Sequence, residues 1–242
     1  MIFINWFNRI LIKYNFSCCK ISDNNKYLAF VILIGGKSNR FGTDKGLFKF
    51  KGKAFISYQI ETLSRFKKDI FLVANSKEQI QRYIDKIDIK ELTAFILDEY
   101  DPKLEKGLRS PMLGLYSAFK ELNNFGYKKI FALSCDNPFI TYAFIDYMIN
   151  QCDKNECCIP KWNNGFLEPL LSIYPVEKAY KTSLKSLEKN QYKLVNILSK
   201  SWQIRYVSVE QDIKRIDPNL QSFININKPG DVKKIQFAFN EY

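Results

Sequence analysis

Leu28-Ala29-Phe30-Val31-Ile32-Leu33-Ile34-Gly35-Gly36-Lys37-Ser38-Asn39-Arg40-Phe41-Gly42-Thr43-Asp44-Lys45 is the stretch whose reading decides the fold. From Leu28 to Ile34 it is apolar without a break, the pattern of a central parallel strand buried on both faces. Gly35 and Gly36 end that strand and open a loop running to Lys45. In open α/β sheets, ligands bind just beyond the carboxyl ends of the strands. Glycines let backbone amides approach an anion closely. Arg40 offers a planar fork and Lys45 a point charge, both suited to phosphoryl oxygens. The spacing is neither the dinucleotide G-x-G-x-x-G nor the Walker loop ending in Gly-Lys-Ser/Thr. The alternative is a glycine turn beside a solvated cationic loop; the preceding strand, with Arg40, Gly42 and Lys45 together, favours a phosphate loop.

Outward from this stretch, short β-like runs alternate with helical patterns. Apolar residues at helical spacing (Phe55, Tyr58, Ile60, Leu63 and Phe66) predict a helix over 54–66. Strands are predicted over 70–73, 94–97 and 129–134, with helices over 78–84, 141–151 and one beginning near Pro111, where proline suits a first turn. Strands over 156–160 and 167–174 flank the turn signal Asn163-Asn164-Gly165. Helices over 176–188 and 194–199 follow, then strands over 204–207 and 223–226 and a last helix near Pro229. This order predicts an α/β fold: a single doubly wound domain over 28–242, with a mostly parallel, mixed sheet and helices on both faces. Residues 1–27 begin with the apolar run MIFINWFNRILIKYNF, interrupted by Asn5, Asn8, Arg9 and Lys13. They are expected to form an N-terminal extension outside the main fold.

The 242 residues contain no histidine, which excludes Ser-His and Cys-His nucleophilic arrangements and histidine-bound zinc. The chemistry left is that of carboxylates, Lys, Arg, backbone amides and a hard metal held by oxygen. The formal charge of +12 favours an anionic partner, and the scattered cations favour a phosphate-bearing small molecule over nucleic acid. Cys18, Cys19, Cys135, Cys152, Cys157 and Cys158 include no C-x-x-C, so reduced thiols in a cytoplasmic protein are expected. No apolar run is long enough to span a membrane.

Asp136 lies just past the 129–134 strand and Pro138 stops that strand, so this carboxylate can hold Mg²⁺ at the sheet crevice; a generic loop carboxylate is the alternative. Asn225 and Asn227 share one face of the 223–226 strand and its end by period two, within reach of one ligand.

The motif Leu33-x-Gly35-Gly36-x-Ser38-x-Arg40-x-Gly42-x-Asp44-Lys45 resembles the opening of the molybdenum cofactor guanylyltransferases, nucleotidyltransferases of the nucleotide-diphospho-sugar transferase fold. The resemblance runs from about Ala29 to the C-terminus. Val73-Ala74-Asn75 and Ile96-Leu97-Asp98 resemble strand ends on the nucleoside side. Arg109-Ser110-Pro111-Met112-Leu113-Gly114 resembles the family's G-P-L-A-G, with Ser110 in place of the glycine. Ser134-Cys135-Asp136-Asn137-Pro138-Phe139 resembles C-D-x-P-[FY], Glu168-Pro169-Leu170 the E/H-P stretch, and Phe223 to Pro229 the pattern F-x-N-x-N-T-P. The resemblance implies transfer of GMP from GTP to molybdopterin with release of pyrophosphate. It implies Lys45, Arg40 and Asp136 as catalytic residues, with Asp136 holding Mg²⁺. Leu33, Gly35, Gly36, Lys45, Asn75, Asp98, Asn225 and Asn227 would bind nucleotide. Contacts with other molybdenum cofactor proteins would follow. A sister enzyme using CTP or a sugar phosphate, and a non-catalytic nucleotide-binding protein, are the alternatives.

Overall fold

The computed structural model describes residues 2–4, 10–13, 26–35, 44–98, 110–226 and 231. In chain order the elements are β1 (Ile2–Ile4), β2 (Ile10–Lys13), β3 (Leu28–Leu33), β4 (Lys49–Phe50), β5 (Lys53–Ala54), α1 (Phe55–Ser64), β6 (Ile70–Ala74), α2 (Lys77–Lys86), β7 (Ala94–Leu97), α3 (Pro111–Asn124), β8 (Lys129–Ser134), α4 (Tyr142–Gln151), β9 (Cys157–Lys161), β10 (Leu171–Pro175), α5 (Val176–Glu188) and β11 (Ile204–Ser208). Nine strands form one sheet in the order β1-β2-β7-β6-β3-β8-β10-β9-β11, and β4 and β5 pair separately. β7, β6, β3 and β8 are mutually parallel. β10 runs antiparallel between β8 and β9, and β11 returns parallel to β9.

β3 divides the molecule. Alternate side chains of a strand leave opposite faces, so Phe30, Ile32 and Ile34 enter one core while Ala29, Val31 and Leu33 enter the other. The first core packs α1, α2 and α4 through Ile56, Ile60, Leu63, Ile80, Phe144 and Met148. The second packs α3 and α5 through Met112, Leu115, Phe119, Val176 and Leu187. The uninterrupted apolar run is thus the consequence of two buried faces. Caps fix where helices begin: Ser110 Oγ accepts from Leu113 N with Pro111 in the first turn, and Thr141 Oγ1 accepts from Phe144 N.

The predicted doubly wound α/β sheet is present, with four differences. The helix predicted over 194–199 is a 3₁₀ turn, Leu194–Ile197. The last helix predicted near Pro229 lies outside the described residues. Residues 1–27 are not wholly outside the fold: Ile10, Leu11 and Ile12 pair antiparallel with Ile96, Phe95 and Ala94, and β1 pairs with β2. An apolar, β-branched run covers the open edge of β7 because unpaired edge amides need partners. Phe223–Ile226 is not a strand. Leu220 adopts left-handed φ (48°), Gln221–Phe223 forms a 3₁₀ turn, and Asp217 takes the amides of Gln221 and Ser222. Within 223–226, Phe223 N and Ile224 N bond Leu220 O and Gln221 O in that turn and Ile226 N bonds Asp136 O, so these amides are withdrawn from any ladder. The second strand of the hairpin begins at Leu171 rather than 167, since Pro169 supplies no amide and Leu171 N turns back to Glu168 O (3.1 Å).

Deleting residues 1–13 should leave the α/β circular dichroism intact while lowering Tm by a few degrees, about 2–4 °C per kcal/mol lost at this size. An unchanged Tm would show that the β2–β7 pairing contributes nothing.

Candidate active site

The parallel strands deliver one short segment each to the carboxyl edge of the sheet. β3 and β8 lie at the reversal of strand order, where an open sheet forms its ligand crevice. Ile34 N and Gly35 N both donate to Val73 O, at 3.0 and 3.3 Å, so the start of the loop is tied to the end of β6. A side chain on Gly35 would lie 3.5 Å from Asn75 N and from Asp98 Oδ2. Gly35, Asn75 and Asp98 therefore converge. Gly114 completes that corner: a Cβ there would sit 3.2 Å from both Asp98 Oδ1 and Leu33 Cδ2, so its absence lets the start of α3 approach them. Gly36, Arg40 and Asn227 lie outside the described residues.

Lys45 opens the 3₁₀ turn Lys45–Leu47, capped by Asp44, whose carboxylate accepts from Gly46 N (3.2 Å). Lys45 Nζ meets Asp136 Oδ1 at 2.8 Å, with side chains 13% and 30% exposed. The two predicted residues of opposite charge are thus brought into contact from segments far apart in sequence. The turn carrying Asp136 is held beneath by Gln59, fully buried on α1, whose Nε2 donates to Ser134 O and Asn137 O at 2.8 Å each. From above, Ile226 N donates to Asp136 O (3.0 Å). Asn225 accordingly stands beside the Asp136 turn, although in irregular backbone rather than on a strand. Burial pushes the neighbouring Cys135 thiol well above its ordinary pKa, reinforced by Asp136, so it stays protonated and is no thiolate nucleophile.

Two groups of residues were not among the sequence-based candidates. Gln79 and Tyr83 of α2 reach Asp44, with Tyr83 Oη 2.6 Å from Asp44 Oδ1 and Gln79 Nε2 2.6 Å from Asp44 Oδ2. Ser76-x-x-Gln79 is a capping-box pattern, which signals a side chain turned back toward the strand end. The other is Trp162, which partners Glu168 of the E/H-P stretch. β10 pairs Leu171 with Leu133, so the chain before Leu171 leaves the sheet at the edge from which Asp136 departs. Trp162 Nε1 donates to Glu168 Oε1 (2.8 Å), and burial raises this carboxyl above the usual range despite that bond.

The segment 30–204 matches the model of the MobA-like NTP transferase domain. The chain belongs to that family. It is 34% identical over 216 residues to a probable molybdenum cofactor guanylyltransferase of Natranaerobius thermophilus, covering 88% of this chain and 96% of the relative. It is 31% identical over 211 residues to the protein of that name from Pyrococcus horikoshii, covering 85% and 97%. Among solved structures, molybdopterin-guanine dinucleotide biosynthesis protein A from Archaeoglobus fulgidus superposes with a TM-score of 0.68 at 23% identity, covering 88% of this chain and 100% of the other. The 4-diphosphocytidyl-2C-methyl-D-erythritol synthase of Anaerococcus prevotii gives 0.60 at 14% identity, covering 88% and 96%. At these identities the two structures share the MobA-like fold and carry no statement about substrate.

Within this MobA-like site two substitutions have defined outcomes. A Cβ on Gly46 would lie 2.2 Å from Tyr83 Oη. Gly46→Ala should cost about 1–3 kcal/mol, as overpacking does, and Tyr83→Phe in the same chain should recover most of it; chemical denaturation of the single and double variants measures this. Glu168 has a raised folded pKa, so its ionisation opposes folding, and stability falls as pH rises above the ordinary value of 4.5. Glu168→Gln should therefore raise Tm at pH 7–8 and leave it unchanged near pH 4. A pH-independent difference would show that desolvation of Glu168 is not its cause.

Proposed function

We propose that this chain is a molybdenum cofactor guanylyltransferase, joining GMP from GTP to molybdopterin and releasing pyrophosphate. The observation that carries the reading is the Lys45–Asp136 contact (2.8 Å) at the carboxyl edge beside Gly35. The guanylyl and molybdopterin specificity rests on relatives with this name at 30–34% identity over most of the chain.

An oxygen of the acceptor's terminal phosphate attacks the α-phosphorus of GTP; the bond to the β-phosphate oxygen breaks and pyrophosphate leaves. Such a transfer is accelerated chiefly by positioning and by cations placed where charge develops, so a chain without histidine can perform it. Lys45 exchanges its Asp136 partner for the α-phosphate. The amide at Gly36, with Arg40, takes the departing pyrophosphate. Asn75 and Asp98 face the nucleoside, while Asn225 and Asn227 orient the groups around Asp136. Asp136 also fits a magnesium ion arriving with the nucleotide. Mg²⁺ is commonly held through one or two carboxylates plus substrate phosphates, and the described residues contain no cluster of three or more metal-ligating side chains that would form a cage. When bound, Mg²⁺ neutralises phosphoryl oxygens.

The reading extends to the compartment and partners. Cys135, Cys152, Cys157 and Cys158 are buried free thiols, which suits the cytoplasm. No helix among the described residues is long and apolar enough to cross a membrane. Other molybdenum cofactor proteins are the expected partners, and nucleic acid is not.

With Mg²⁺, GTP should raise Tm more than ATP, CTP or UTP; preference for CTP would reassign the base, and no response to any of them would end the enzymatic reading. Lys45→Ala should weaken GTP binding and turnover at every magnesium concentration. Asp136→Asn should cut turnover roughly 10²-fold or more, with part of the loss recovered by added Mg²⁺. Initial rates against magnesium, with molybdopterin and GTP, distinguish the two roles.

A further inference from the structure

Asp44 immediately precedes Lys45, and its carboxylate points into the protein. Among the described residues its donors are all uncharged: Gly46 N at 3.2 Å, Tyr83 Oη at 2.6 Å and Gln79 Nε2 at 2.6 Å. Gln79 is 2% exposed and spends nearly its whole amide on the loop. One N–H goes to Asp44, the other to Ile34 O (2.9 Å), and Oε1 accepts from Asn75 N (2.9 Å). The orientation of this amide is fixed by its surroundings. Turned over, its oxygen would face a carbonyl and a carboxylate. Gln79 and Tyr83 stand four residues apart on α2 and so share one face.

We infer that Gln79, acting with Tyr83 through Asp44, is a positioning residue: one buried amide fastens both ends of the 36–43 loop and the Asn75 strand end, and thereby aims Lys45 at the transferred phosphate. The inference rests on the phosphate-loop reading of residues 35–45. Three points carry it beyond helix capping. In a capping box the glutamine side chain returns to the amide of the cap residue itself; here it passes Ser76 and takes Asn75 N instead. It also reaches Ile34 and Asp44, on opposite ends of the loop, which helix stability alone does not require. Finally, burial drives the Tyr83 phenol well above its ordinary pKa, so it remains a hydrogen-bond donor to Asp44 at any working pH. Asp44 is thus bonded by these three donors, while the Lys45 ammonium meets Asp136 at 2.8 Å.

The test uses the whole chain and two variants, Gln79→Met and Tyr83→Phe. The second removes a single hydroxyl and keeps the packing. Without nucleotide, backbone amide exchange is followed at Gly46 and Asn75. Both variants should exchange Gly46 roughly 10-fold faster or more, and Gln79→Met alone should also release Asn75, as expected when a charge-assisted or buried bond is lost. Binding of GTP·Mg²⁺ is then measured by calorimetry in a double-mutant cycle with Lys45→Ala. Tyr83→Phe should weaken binding roughly 10-fold in the native background and have almost no effect when Lys45 is absent, because the two act as a unit. Equal losses in both backgrounds would show a general structural effect and overturn the inference, as would unchanged exchange at Gly46. Should the native chain bind no nucleoside triphosphate, the guanylyltransferase reading fails, while the exchange measurement still decides whether the latch exists.

Discussion

Burial of β3 on both faces is the constraint from which the rest of the structure follows. A strand with no solvated side must bond its neighbours on both edges and receive helices above and below. The chain therefore crosses from one face to the other between β6, β7 and β8. Each crossing must start from a carboxyl strand end, so Gly35, Asn75, Asp98 and Asp136 arrive together on one rim without having been near one another in sequence. The rigidity of the two cores is what allows loops to hold charges at defined separations. Phe30 and Phe131, paired on adjacent strands, pack in the first core (6.0 Å between centroids).

The second organising fact is that buried glutamines fix both charged segments. Gln59 supports the Asp136 turn from α1, and Gln79 supports the Lys45 loop from α2. Each amide satisfies backbone carbonyls that would otherwise be stranded above the apolar layer, where an unpaired polar group costs about 1–3 kcal/mol. Neutral amides do this without adding charge. The Lys45–Asp136 pair is thus held from below by groups that leave its own electrostatics unaltered.

Much of this arrangement was legible in the chain. The break from Leu28–Ile34 to Gly35 marks both the central strand and its loop, and Asp136 followed by Pro138 marks a second strand end. Both signals are local. Phe223–Ile226 reads as a strand because apolar alternation is also produced by a segment packed against loops; the bond from Ile226 N to Asp136 O is long-range and leaves no trace in period. The β2–β7 pairing is likewise invisible until β7 is known to be an edge. Gln79 and Tyr83 leave no signal of their place at the site because polar residues on a helix read as a solvated face, whereas here both are buried and bond Ile34, Asp44 and Asn75.

The far side of the sheet ends differently. β11 pairs only with β9 among the described strands, which makes it an edge; Asp212 caps the end of that edge by taking the amide of Ser208. Such a rim is a template for joining another chain. Arg205 and Tyr206 of this strand are both exposed, and Lys161 Nζ of β9 lies 5.4 Å from the Tyr206 ring, so positive charge stands near this border. With a formal charge of +12, two copies repel before their edges can meet. Solubility at this border is therefore an electrostatic property rather than a geometric one, and it weakens as salt shortens the screening length from about 10 Å toward 3 Å. Raising the salt therefore brings this edge closer to pairing with another chain.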